Sequence, residues 1–257
     1  MNIQRVDRRN HNTPILYDHE IDQFAHAVLA DYSPVLLREP GAVDFEHFLE
    51  FYLGATVIFK DIYTDDPERP VFGVVTFRDG VLKVFDRENN CISNLLVRAN
   101  TVVIGSSLME PGKERSARFT GAHEGGHFLL HSDMYKTASK LNISERNEAM
   151  PSMVTCRCGS IENFQGGPAR TAKQWREHHA DYFAACITMP NATFRPCVNQ
   201  FLREHGIWKA HIVLGQDDDL DTFAIDLLPE HISEVYGVSK RAAYIKLKKG
   251  GFVIGGI

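Results

Sequence analysis

The sequence predicts an α+β fold, a small mixed or antiparallel sheet packed on helices. Three observations predict it. Apolar residues recur at helical spacing as far as Tyr52, alternate at strand spacing between residues 55 and 105, and return to long helical runs at 119–131 and 175–190.

In chain order, residues 1–14 are polar and read as a flexible N-terminal arm. Ile21, Phe24, Ala25, Val28, Leu29 and Tyr32 then line one face of a helix. Phe45, Phe48, Leu49 and Tyr52 do so again after Asp44, a residue type that caps helix starts. Residues 55–63, 71–77 and 81–86 read as strands, with Arg78-Asp79-Gly80 as a hairpin turn, and 100–105 adds another. The helix at 175–190 stops at Pro190, which cannot continue it. Residues 15–200 form one domain in this reading, with 132–173 as a long loop or lid. Residues 201–257 form a C-terminal helical region that could be integral to it. There Gln216 to Glu230 carries six carboxylates and no cation, whereas the following residues hold Lys240, Arg241, Lys246, Lys248 and Lys249 against one Glu. Gly237 at a turn and Ser239 as a cap give this stretch a helix-turn-helix look.

A chain of 257 residues with 44% hydrophobic content can bury a sizeable core. It has no run of 18 apolar residues and no signal-peptide pattern, so neither a membrane span nor secretion is expected. Five irregularly spaced cysteines fit a reducing compartment, and the expected location is cytoplasmic. A net charge of -5 gives no general drive toward nucleic acid.

Chemistry concentrates in His123-Glu124-Gly125-Gly126-His127. On a helix, positions i and i+4 lie one above the other, so both imidazoles can reach one cation. Glu124 then stands beside a metal-activated water, where it can take a proton during attack on a carbonyl. On the later helix, Glu177 offers a third ligand, completing a two-His, one-carboxylate set with an open position. Asp181, one turn on, could accept the other ring N–H of a bound histidine, His123 first of all. Zn(II) is the preferred metal, although such a set also holds iron or manganese.

Taken together, His123-Glu124-x-x-His127 with Leu130-His131, then Glu177-x-x-Ala180-Asp181-x-Phe183-Ala184-Ala185 ending in Met189-Pro190, resemble the ImmA/IrrE family of metallopeptidases over residues 101–190. The resemblance implies a gluzincin-like zinc site with His123, His127 and Glu177 as ligands and Glu124 as general base. It also implies a protein substrate, a helix-turn-helix repressor of a mobile element or stress response, and an edge strand, 101–105 or its neighbour, that receives the substrate chain. Two positions depart from the family. Gly125 and Gly126 stand inside the motif helix, each costing about 1 kcal/mol relative to Ala. The more frequent Ala-Asn pair is Ala180-Asp181, which keeps an acceptor and adds a charge.

Two functions follow: a zinc endopeptidase, or a non-catalytic zinc-containing regulator that binds a repressor or DNA. Oxyanion stabilisation in the first would fall to His131, His178, His179 or Tyr182, which spacing does not separate. Cys156 and Cys158 are read as ordinary thiols, the alternatives being a ligand for the open metal position or a pair holding a separate metal.

Overall fold

The computed structural model describes residues 6–7, 13–66, 68, 70–138, 153–157 and 171–255. They fall into two compact units: the chain up to Phe24 with Asp44–Ala184, and Ala25–Val43 with the chain from Ala185 onward. Sequence reasoning divides the chain after residue 200. The structural division comes earlier because Phe194, Val198 and Leu202 share a core with Ile232 and Leu247.

In the first unit, β1 (Val6–Asp7) pairs antiparallel with β2 (Thr13–Pro14), within residues that the sequence reads as an arm. Thr13 is buried and accepts a hydrogen bond from Nη1 of Arg176 at 3.0 Å. Helix α1 (Asp18–Tyr32) begins where Glu20 reaches back to accept the N–H of Tyr17, and it buries Ile21, Ala25, Val28 and Leu29 as their spacing requires. Asp44 caps α2 (Phe45–His47) by accepting the His47 N–H at 3.0 Å. That helix is shorter than its pattern suggests, because it widens into a π turn over Phe48–Tyr52 that buries Phe48 and Leu49.

The sheet has the strands β3 (Thr56–Ile62), β4 (Val71–Thr76), β5 (Gly80–Asp86), β6 (Cys91–Val97), β7 (Thr101–Gly105) and β8 (Met153–Arg157). Their order is β6-β5-β3-β7-β4-β8. The β3–β7 pair is parallel and every other pair antiparallel, so the expected α+β fold with a mixed sheet is observed. Strand β7 is buried along its whole length, as Thr-Val-Val-Ile-Gly suits a strand covered on both faces. It lies between β3 and β4, so neither 101–105 nor a strand beside it is the edge that the sequence reading offers to a substrate; among the described residues the edges are β6 and β8.

Two further expectations are corrected. Arg78-Asp79-Gly80 is not a hairpin turn, since β4 and β5 are not neighbours. The corner is held by Thr76 Oγ1, which donates to the Arg98 carbonyl at 2.6 Å, and by Asp79, which accepts the Ala99 N–H at 2.8 Å. The hairpin is β5–β6, a strand the sequence reading omits. Its turn is built by Asp86 accepting from the Glu88 and Asn89 amides, with Asn90 at φ 48°. Likewise 132–173 is not all loop: α3 (Glu114–Ala138) runs into it, and β8 pairs with β4 within it. Helix α3 packs on β4, β7 and β8, and α4 (Ala172–Thr188) follows. Cys158 lies outside the described residues.

The second unit contains α5 (Asn191–Glu204), the pair β9 (Ile212–Val213) and β10 (Val253–Ile254), α6 (Asp218–Thr222), α7 (Leu228–Tyr236) and α8 (Lys240–Lys249). The expected turn between α7 and α8 is present: Gly237 has φ 60° and Ser239 accepts the Ala242 N–H. Several charges are used inside the unit. Asp217 caps α6, Lys240 pairs with Asp226 at 2.6 Å, and buried Lys246 lies 5.7 Å from the centre of the Phe194 ring. No helix among the described residues is long and apolar enough to cross a membrane.

Candidate metal centre

The site stands on α3 and α4, and glycines set how closely other groups approach α3. A Cβ on Gly126 would come within 3.1 Å of the Ala180 Cα and 3.3 Å of its carbonyl oxygen, so α4 touches α3 backbone to backbone there. On the other side, a Cβ on Gly121 or Gly125 would overlap the rings of Phe45 or Phe48. The paired glycines of the motif therefore exchange helix propensity for close packing.

This approach brings together the three residues expected as ligands. His123, His127 and Glu177 each offer one ligand atom, and those atoms lie within 4.8 Å of one another. The two Nε2 atoms are 3.1 Å apart. Glu177 places Oε2 3.6 Å from His123 Nε2 and Oε1 3.8 Å from His127 Nε2, longer than direct hydrogen bonds. Both imidazoles are fully buried, and the Glu177 side chain is 16% exposed. Behind the ligands, His123 Nδ1 lies 2.8 Å from Asp181 Oδ1, the contact expected from spacing. Nδ1 of His127 lies 3.0 Å from Nδ1 of His131.

The electrostatics suit a cation. Burial lowers the His127 pKa, which keeps its ring neutral with a lone pair to give. For Glu177 burial works upward, but the imidazoles of His123 and His127 outweigh it and hold the carboxyl far below its usual range. Two converging imidazole nitrogens and a carboxylate make a nitrogen- and oxygen-donor set that fits zinc, one donor short of its usual four. The buried group could thus hold a metal ion.

Glu124 is fully buried, and neither carboxylate oxygen has a hydrogen-bond partner among the described residues. Burial pushes its carboxyl up to about 8; the His123 charge opposes the rise and that of Glu177 adds to it. It lies over β4 at Gly73, where a Cβ would stand 2.4 Å from Oε1. Of the four candidate oxyanion donors, His178 is turned to Asp18 at 2.7 Å, and His131 and His179 lie in line behind His127. Tyr182 packs against His178 with ring centres 5.9 Å apart. Gly73 and Asp18 carry no motif in the sequence, and only the sheet and the packing of α1 bring them here.

No family model matches the chain, and no curated protein matches it. Among solved structures it is similar to a Mycobacterium tuberculosis transcriptional regulator, at 15% identity and a TM-score of 0.40, covering 89% of this chain. The chain spans about half of that structure's length, 46%. The functional reading therefore rests on the residues of the site.

Proposed function

We propose that the protein is a zinc-dependent endopeptidase that hydrolyses a peptide bond in a protein substrate, in a reducing, cytoplasmic setting. One observation carries the reading: a fully buried carboxylate with no partner among the described residues, Glu124, next in sequence to the first of three converging metal donors. A structural metal site needs no such group beside it.

His123, His127 and Glu177 would hold the ion, and Asp181 would fix the tautomer of His123. Zinc, when bound, supplies Lewis acidity that lowers the pKa of water toward ~7 and polarises a carbonyl. In its ionised form, Glu124 takes a proton from the water that attacks the scissile carbonyl and returns it to the departing amine nitrogen. Gly73 leaves the space in which the carboxylate does this, since any side chain there would displace it. A helix-turn-helix repressor as substrate follows from the resemblance over residues 101–190.

A second reading, a non-catalytic metal-containing regulator that binds a repressor or DNA, is favoured by the complete burial of His123, Glu124 and His127. Glu124→Gln separates the two. It should keep zinc and partner binding yet lose cleavage, read by mass spectrometry of a candidate repressor incubated with zinc-loaded protein. A variant that cleaves as wild type does would sink the mechanism, and no cleavage by either protein would favour the regulator.

A further inference from the structure

Behind the proposed metal ligands lies a row of imidazoles that a three-ligand site leaves unexplained. His127 Nδ1 is 3.0 Å from His131 Nδ1, and His131 Nε2 is 3.4 Å from His179 Nδ1. All three side chains are fully buried. His131 stands one turn beyond His127 on α3, and His179 comes from α4.

A neutral imidazole has one N–H and one lone pair, so each nitrogen-to-nitrogen contact needs a donor on one side and an acceptor on the other. The row can therefore point in two directions. In one, His179 donates from Nδ1 to His131 Nε2, and His131 donates from Nδ1 to His127 Nδ1. His127 then carries its proton on Nε2, aimed at His123 Nε2 3.1 Å away, and has no lone pair for a cation. In the other, His127 donates from Nδ1 to His131 Nδ1, and His131 donates from Nε2 to His179 Nδ1. Only this direction leaves the His127 Nε2 lone pair free toward His123 and Glu177. The other ligand faces a carboxylate instead of a second ring, with Asp181 Oδ1 2.8 Å from His123 Nδ1 as the acceptor.

We propose that His131, backed by His179, is a positioning residue that selects the metal-binding tautomer of His127. Metal binding at His127 and the tautomers of His131 and His179 are then one coupled state, carried by neutral rings where His123 uses a carboxylate. The inference rests on the reading of His123, His127 and Glu177 as a metal centre.

The test uses the full chain and zinc alone. Zinc affinity is measured by competition with a chromophoric chelator for wild type, His131→Leu, His131→Asn and Glu177→Ala. Loss of an outer-shell partner typically costs 10–100-fold in metal affinity, and His131→Leu should fall in that range. His131→Asn places an amide oxygen near the position of Nδ1 and should recover most of the loss, which a purely space-filling role would not predict. Nitrogen-15 correlation spectra of histidine-labelled wild type need no substitution. With zinc they should show His127 protonated at Nδ1 and His131 and His179 at Nε2. Zinc-loaded protein with His131 protonated at Nδ1, or His131→Leu binding zinc as tightly as wild type while Glu177→Ala does not, overturns the positioning role alone. If Glu177→Ala binds as wild type does, or wild type binds no zinc, the metal centre falls and the positioning role with it.

Discussion

Gly126 meets Ala180 so closely that the Cα of Ala180 would stand 3.1 Å from any Cβ placed on the glycine. The contact lies beside His127 on one helix and three residues after Glu177 on the other. It thus sets the distance across which His127 and Glu177, from different helices, would share one cation. Gly126→Ala gains about 1 kcal/mol of helix propensity, but its methyl group presses on α4 backbone at Ala180 and on the fully buried Phe183 ring. We expect a net loss of about 1–2 kcal/mol in stability and weaker zinc binding. Thermal melts and a zinc competition titration check this, and unchanged zinc affinity would show that the helix spacing does not govern the site.

Gly73 controls a different group. A Cβ there would overlap Oε1 of Glu124 and crowd Thr120 at 2.9 Å, and its three nearest atoms all belong to these two residues. Gly73→Ala should therefore separate chemistry from metal binding, with near-normal zinc content and cleavage reduced on the order of 100-fold, as for a misplaced catalytic group. Parallel metal analysis and a cleavage assay decide it; loss of both together would mean that the strand itself had been disrupted.

The ligands and the helices that carry them are legible in the sequence because their signals are local. The i, i+4 spacing of His123 and His127, and of Glu177 and Asp181, places each pair on one helix face before any tertiary structure is known. The strand order is not local. β4 and β5 are separated by a short corner that resembles a hairpin, and long-range bonds from Thr76 and Asp79 to residues 98–101, with the ladders to β7 and β3, give them different neighbours. β6 escapes notice because Ile92 and Leu96 are exposed, which blurs the usual alternation. The glycines of α3 read as a cost in the sequence, and become intelligible only when Ala180, Phe45 and Phe48 are seen against them.

Metal content tests the ligand set directly. Wild type should carry about one zinc per chain, and His127→Ala and Glu177→Ala should lose it, since a catalytic site has only three protein ligands. Gln200→Ala, whose side chain bonds Glu204 on the exposed face of α5, should keep its zinc. Asp181→Ala should weaken binding about 10–100-fold, whereas Asp181→Asn, which retains an acceptor for His123 Nδ1, should weaken it less. Equal zinc in all six proteins would remove the proposed centre.

Glu124 gives the metal-free protein a pH dependence whose sign is fixed. Its carboxyl stands at about 8 in the fold against an ordinary 4.5, so the folded chain holds a proton that the unfolded chain releases. The stability this provides is complete below the ordinary value and is lost as pH rises through about 8. Glu124→Gln has no such proton, and any cost of its buried amide does not vary with pH. In the presence of a chelator, urea midpoints of the two proteins should therefore diverge as pH is raised from about 5 to about 9, the Gln variant gaining on wild type by a few kcal/mol. A gap that stays constant across that range would mean that Glu124 is ionised in the fold, and that the interior around β4 and α3 is more polar than its burial suggests.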